Sequence, residues 1–161
     1  MPITSRAEGL LDARELLLSI SGALTGRSPL IESARELADL HSTLFTAASS
    51  ITCRPADFDE IAIRDRIVVV ITLIDDWSAL HLPRPAAARR HTHSLGEVIS
   101  HVADTYAQVQ WTLRHSRSAD ETHNAALRFA QVQEGYADLI DEILACRVAL
   151  PLGLGGFRRP A

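Results

Sequence analysis

Ser94-Leu95-Gly96-Glu97-Val98-Ile99 opens the stretch that decides the fold. A serine followed three residues later by a glutamate is a reciprocal capping pair. The hydroxyl accepts from an orphan helix N–H, and the carboxylate reaches back to the serine's own N–H. The residues that follow keep the helical period, with Leu95, Val98, Ile99, Val102, Tyr106, Val109 and Leu113 on one stripe. The same signature recurs at Ser5 with Glu8, Asp57 with Glu60, and Ser118 with Glu121. Ser28-Pro29 adds a cap followed by proline at the first helical position. Five starts, each opening an apolar-periodic segment, predict an all-α helical bundle. Its helices fall at about 6–24, 29–48, 57–80, 94–115 and 119–148, the last three forming the core.

The third helix is the ambiguous one. Ile67-Val68-Val69-Val70-Ile71 is a β-branched run that would suit a buried strand. The box at Asp57 and the longer spacing of Ile63, Ile67, Val70, Ile74 and Trp77 favour helix. Apolar residues on several of its faces suggest a central helix, or one that also meets a partner subunit.

At 161 residues the chain reads as one domain, 1–148, followed by a flexible tail, 149–161, in which Pro151 and several glycines forbid regular structure. A net charge of −4 argues against nucleic acid as a partner. All sixteen basic residues are arginine, which excludes a catalytic lysine, a Schiff base and a P-loop. Cys53 and Cys146 form no Cys-x-x-Cys pair and read as reduced thiols. The N-terminus lacks the organisation of a signal peptide. The strongest apolar stretch, Ile67 to Ile74, is too short to span a bilayer. No membrane association and a cytoplasmic location are therefore expected.

Five of the seven histidines lie between His91 and His123. His91 and His93 alternate in extended chain, and His101 and Asp104 follow on one face of the fourth helix. These four could converge on a divalent, zinc-like ion with nitrogen and oxygen ligands. The competing reading is solvated histidines on an exposed face, and no cofactor is predicted. His41 differs, because it sits within the apolar stripe of the second helix and reads as a buried neutral imidazole held by a hydrogen bond.

Two further surfaces stand out. Glu97, His101, Asp104, Gln108, Trp111 and His115 fall opposite the apolar stripe of the fourth helix, a candidate interaction face. A tryptophan there is covered by a partner subunit or another helix, or else lies flat over Arg114 or His115 or packs under the first helix. On the fifth helix, Glu134, Asp138 and Asp141 lie away from its apolar side. The Glu-x-x-x-Asp step is similar to the magnesium-binding face of all-α nucleotide pyrophosphohydrolases, with Asp75 and Asp76 as the required opposing acids. A solvated acidic face is the alternative. No nucleophile elbow, catalytic cysteine signature or dinucleotide-binding glycine pattern occurs.

Laid out in this way, most of the chain resembles an actinobacterial all-helical family classed as a domain of unknown function. The resemblance rests first on Pro29-Leu30 leading to Ala34, Glu36-Leu37-Ala38 and Leu40-His41. It continues in Asp75-x-Trp77 followed by Leu80-His81-Leu82-Pro83, and in Gly135-Tyr136-x-Asp138-Leu139. The family's His-Thr-Glu-Ser/Thr-x-Gly helix start reads His91-Thr92-His93-Ser94-Leu95-Gly96 here, and Ser100-His101 stands where the family has Asp-Arg. The resemblance implies the fold and no particular activity. The functional expectation is a non-enzymatic interaction or regulatory module that acts through the exposed face of the fourth helix, with a protein partner or with self-association through the third helix. A purely structural subunit of a larger assembly gives the same surface pattern. A metal-dependent hydrolase using the histidine cluster or the acidic face is the alternative.

Overall fold

The computed structural model describes residues 8–153. Five helices make up most of it: α1 (Ala13–Ser21), α2 (Pro29–Ser49), α3 (Glu60–His81), α4 (Leu95–His115) and α5 (Ala119–Leu144). One turn of 3-10 helix, Ile51–Cys53, follows α2. Two short strands, β1 (Arg89–Arg90) and β2 (Val148–Ala149), pair in parallel, Arg89 with Val148 and Arg90 with Ala149. No helix among the described residues is long and apolar enough to cross a membrane.

The capping pattern built the helix starts, with local changes. The Ser94–Glu97 box forms in both directions. Ser118 caps α5, while Glu121 turns to the Ser116 hydroxyl instead of reaching back. Pro29 opens α2, but the Ser28 side chain makes no capping bond. At α3 the cap is Asp59, two residues after the expected Asp57, and it accepts from Ala62 N–H. The expected first start at Ser5 lies outside the described residues. The helix found there begins later, under a full box of Asp12 and Glu15.

The core is centred on α4, which packs against α2, α5 and α3, while α1 lies on α2 and α5. This differs from the expected core of α3, α4 and α5, and the reason is side-chain size. Gly96, Ser100, Ala103 and Ala107 are all buried on α4, and small residues let several neighbours approach one axis. The buried Tyr136 of α5 donates its hydroxyl to the Leu11 carbonyl at 2.7 Å, fastening the chain entering α1. The β-branched run of α3 is helical, but it buries only Ile67 and Val70, and Val68 and Val69 face solvent.

The C-terminal end also departs from expectation. Helix α5 stops at Leu144, Cys146 takes a left-handed backbone (φ 58°), and the chain then pairs with β1. Residues 149–153, expected to begin a free tail, lie on the body with Leu150 buried. Residues 154–161 are outside the described range.

Candidate functional site

A concavity of about 620 Å³ lies where the second half of α3, the start of α4 and the β1–β2 pair meet. Its floor holds Asp75, only 3% exposed. The Oδ1 of Asp75 accepts the Gly96 N–H at 2.8 Å, so a buried carboxylate of α3 holds the first turn of α4. Gly96 makes that approach possible. A Cβ there would stand 2.8 Å from Asp75 Oδ1 and 2.9 Å from Ile71 Cγ2, and closer still to the Ile71 carbonyl oxygen. Gly153, at φ +69°, closes the other side, and any side chain on it would run into the same carboxylate. Burial pushes the Asp75 carboxyl above the usual carboxylate range. The Gly96 N–H and the Ser94 hydroxyl oppose that shift, and the charges of Glu97 and Asp76 add to it.

Above this floor the walls are mostly apolar, from Pro85, Ala86 and Ala88 on one side and Ala149, Leu150 and Leu152 on the other. Arg84, Arg90 and His91 supply the basic groups. Among the described residues neither Arg84 nor Arg90 enters an ion pair, whereas Arg89 is held by Glu142 at 2.9 Å.

Three of the four proposed metal ligands line three different concavities, and His93 lines none of these. His91 lines the one just described, His101 lines a second with Gln108 and Arg128, and Asp104 lines a third with His41 and Arg64. The His91 and His93 rings stand 6.1 Å apart, and His91 Nδ1 lies 2.8 Å from the His93 carbonyl oxygen. The acidic alternative is dispersed as well. Asp75 is buried, Asp76 is exposed, and Glu134, Asp138 and Asp141 face solvent on α5, which packs mainly on α4. Among the described residues, no three His, Cys, Asp or Glu side chains are grouped to hold a metal ion. The spacing that suggested these sets was real along each element, but chain direction between elements carries the side chains apart.

The predicted interaction stripe of α4 is only partly a surface, because α2 covers its middle. His41 Nε2 is 2.8 Å from Ser100 Oγ, its Nδ1 is 3.6 Å from Asp104 Oδ1, and Gln108 donates to Asp104 at 3.0 Å. Trp111 stacks on His115 with ring centroids 3.7 Å apart and meets Phe45 edge-on. Glu97, His101 and His115 remain exposed. Thus Trp111 takes the flat arrangement over His115, and His41 is the half-buried, hydrogen-bonded imidazole expected. Burial lowers the His41 pKa, aided by Arg64 and His101 and opposed by Asp104.

Ser100, His41 and Asp104 follow the order of a hydrolytic triad. However, Ser100 is 7% exposed in the middle of α4, where backbone N–H groups are committed to the helix and offer no oxyanion site. The trio acts as a polar tie between α2 and α4.

The surface that remains unaccounted for is the outer face of α3. Ile61, Val68, Val69, Leu73 and Leu80 are 46% to 82% exposed on this one helix. At 100° per residue they occupy a sector of about 140°, opposite the buried Ile67, Val70, Ile74 and Ser78. Cys53 and Cys146 are both free and exposed. Comparisons with models of protein families, with curated proteins and with solved structures found no match to this chain.

Proposed function

We propose that the chain is a non-enzymatic interaction module that pairs with a second copy of itself through the outer face of α3. The observation that carries this reading is the row of five large apolar side chains left in water on one helix. From Ile61 to Leu80 the row extends about 29 Å. A two-fold axis across its middle would place Ile61 against Leu80 of the second copy and Val68 against its Leu73. An interface between identical copies requires such self-complementarity.

Covering the exposed part of these side chains on both copies contributes roughly 10 kcal/mol. Association itself costs about 4 kcal/mol or more. The balance corresponds to a dissociation constant of roughly tens of micromolar or weaker. Asp65 and Asp76 share the sector, and the same axis brings Asp65 near Asp76 of the second copy. That repulsion weakens as salt rises.

Light scattering on the chromatographed protein tests the reading. Val69→Arg and Leu73→Glu change exposed positions, so each variant should keep its fold and stability within about 0.5 kcal/mol. Loaded well above that dissociation constant, the unchanged protein should show a mass between one and two chains that rises with load, and each variant the mass of one. A variant that keeps the unchanged protein's mass would refute pairing through α3.

A further inference from the structure

We propose that the concavity between α3, α4 and the β1–β2 pair binds a small organic anion with an apolar body, its acid group held by Arg84 and Arg90. The inference is independent of the pairing proposed for α3. A volume of about 620 Å³, apolar walls and a few convergent polar groups match the form of small-molecule sites.

The site is built. β1 and β2 tie one wall to the other through backbone bonds, Arg89 N–H to the Arg147 carbonyl and His91 N–H to the Ala149 carbonyl, and the buried Val148 and Leu150 anchor the far wall. Gly153 allows the chain to close against Asp75. The wall therefore does not have to form when a ligand arrives, which limits the ordering cost of binding.

Charge decides the class of ligand. The start of α4 is not the anion's seat, because Asp75 and Ser94 already engage the Gly96 and Glu97 N–H groups. The guanidinium groups are different. Arg84 and Arg90 line the cleft without an ion pair among the described residues, and each presents a fork suited to a carboxylate or a phosphate. Two such groups favour an anion, while Pro85, Ala88, Leu150 and Leu152 favour an alkyl or aryl body beneath it. The carboxyl groups of Asp75 on the floor and Glu97 beside it penalise a second acid group reaching inward, so the ligand carries its charge at one end, at Arg84 and Arg90.

Titration calorimetry with octanoate, octyl phosphate and 1-octanol tests this, with amide shifts of Gly96, His91 and Leu150 locating the site. Octanoate or octyl phosphate should bind saturably, and the tighter of the two identifies a carboxylate or a phosphate as the acid group. Octanol should bind at least about tenfold more weakly, and Arg84→Gln and Arg90→Gln should each weaken the anion about tenfold. Arg89→Gln, beside the cleft but turned to Glu142, should bind like the unchanged protein. Equal binding of octanol and octanoate, unchanged affinity in Arg84→Gln and Arg90→Gln, or no saturable binding of either anion would overturn the proposal.

Discussion

Replacing Gly96 with alanine should destabilise the protein, although alanine is the better helix former. In an unhindered helix the exchange stabilises by about 1 kcal/mol. At Gly96 the added Cβ would meet the Ile71 carbonyl oxygen, Asp75 Oδ1 at 2.8 Å and Ile71 Cγ2 at 2.9 Å. Backbone of α3 and a buried carboxylate cannot yield as a flexible side chain does. Forcing such an approach costs about 1–3 kcal/mol. Displacing the Gly96 N–H from Asp75 weakens a hydrogen bond to a carboxyl group, a contribution of about 1.5–3 kcal/mol. Set against the helix gain, the net loss is about 1.5–5 kcal/mol, or roughly 3–20 °C in melting temperature for a chain of this length. Gly135 provides the opposite case, since a Cβ there meets nothing within 4 Å on exposed α5. Gly135→Ala should raise stability by about 0.4–1 kcal/mol. Urea unfolding followed by circular dichroism reads both. A Gly96→Ala protein as stable as the unchanged one would mean that α3 and α4 do not cross this closely.

Three further outcomes follow from single side chains. The lowered pKa of His41 means that its neutral form stabilises the fold above its unfolded pKa of 6.5, and that this contribution is lost as pH falls through the folded value. His41→Gln should remove that slope from unfolding curves measured across the window; an unchanged slope would count against a buried imidazole. Asp75 has the opposite sign, because a raised carboxyl pKa leaves its stability contribution complete below about 3.9 and lost as pH rises through the folded value. Asp75→Asn keeps an acceptor for Gly96 N–H, so its stability relative to the unchanged protein should improve from acid to neutral pH, and a flat difference would contradict the burial. Cys146, left-handed at φ 58°, should gain about 1 kcal/mol on replacement by glycine, read as a higher denaturation midpoint, and a loss would show the conformation is unstrained.

What the sequence made legible is mostly local. Ser94 with Glu97, Pro29 at a first helical position and the apolar stripe of α4 depend on neighbours within a turn or two, and each appears in the structure. His41 was readable as buried from its own stripe, but Ser100, its hydrogen-bond partner, lies 59 residues away. The floor of the cleft is non-local too, since Asp75 and Gly96 are 21 residues apart. Two signals pointed there. Position 75 falls beside the buried stripe of α3, where a lone carboxylate needs a partner. Gly96 in the first turn of a helix needs a packing reason, because glycine is unfavourable there. The end of α5 was overextended because Val148 looked helical by period, while its strand partner Arg89 is supplied by a distant loop. The α4 stripe reads as surface because amphipathic periodicity assumes one buried side, whereas α4 packs against three helices.

The most direct test of pairing through α3 is sedimentation equilibrium of the unchanged protein over a concentration series, at low and at high salt. The predicted result is a mass rising toward twice the 17.6 kDa of one chain, reached at lower concentration when salt screens Asp65 and Asp76. A mass of one chain at every concentration up to the millimolar range would contradict it and return the outer face of α3 to solvent.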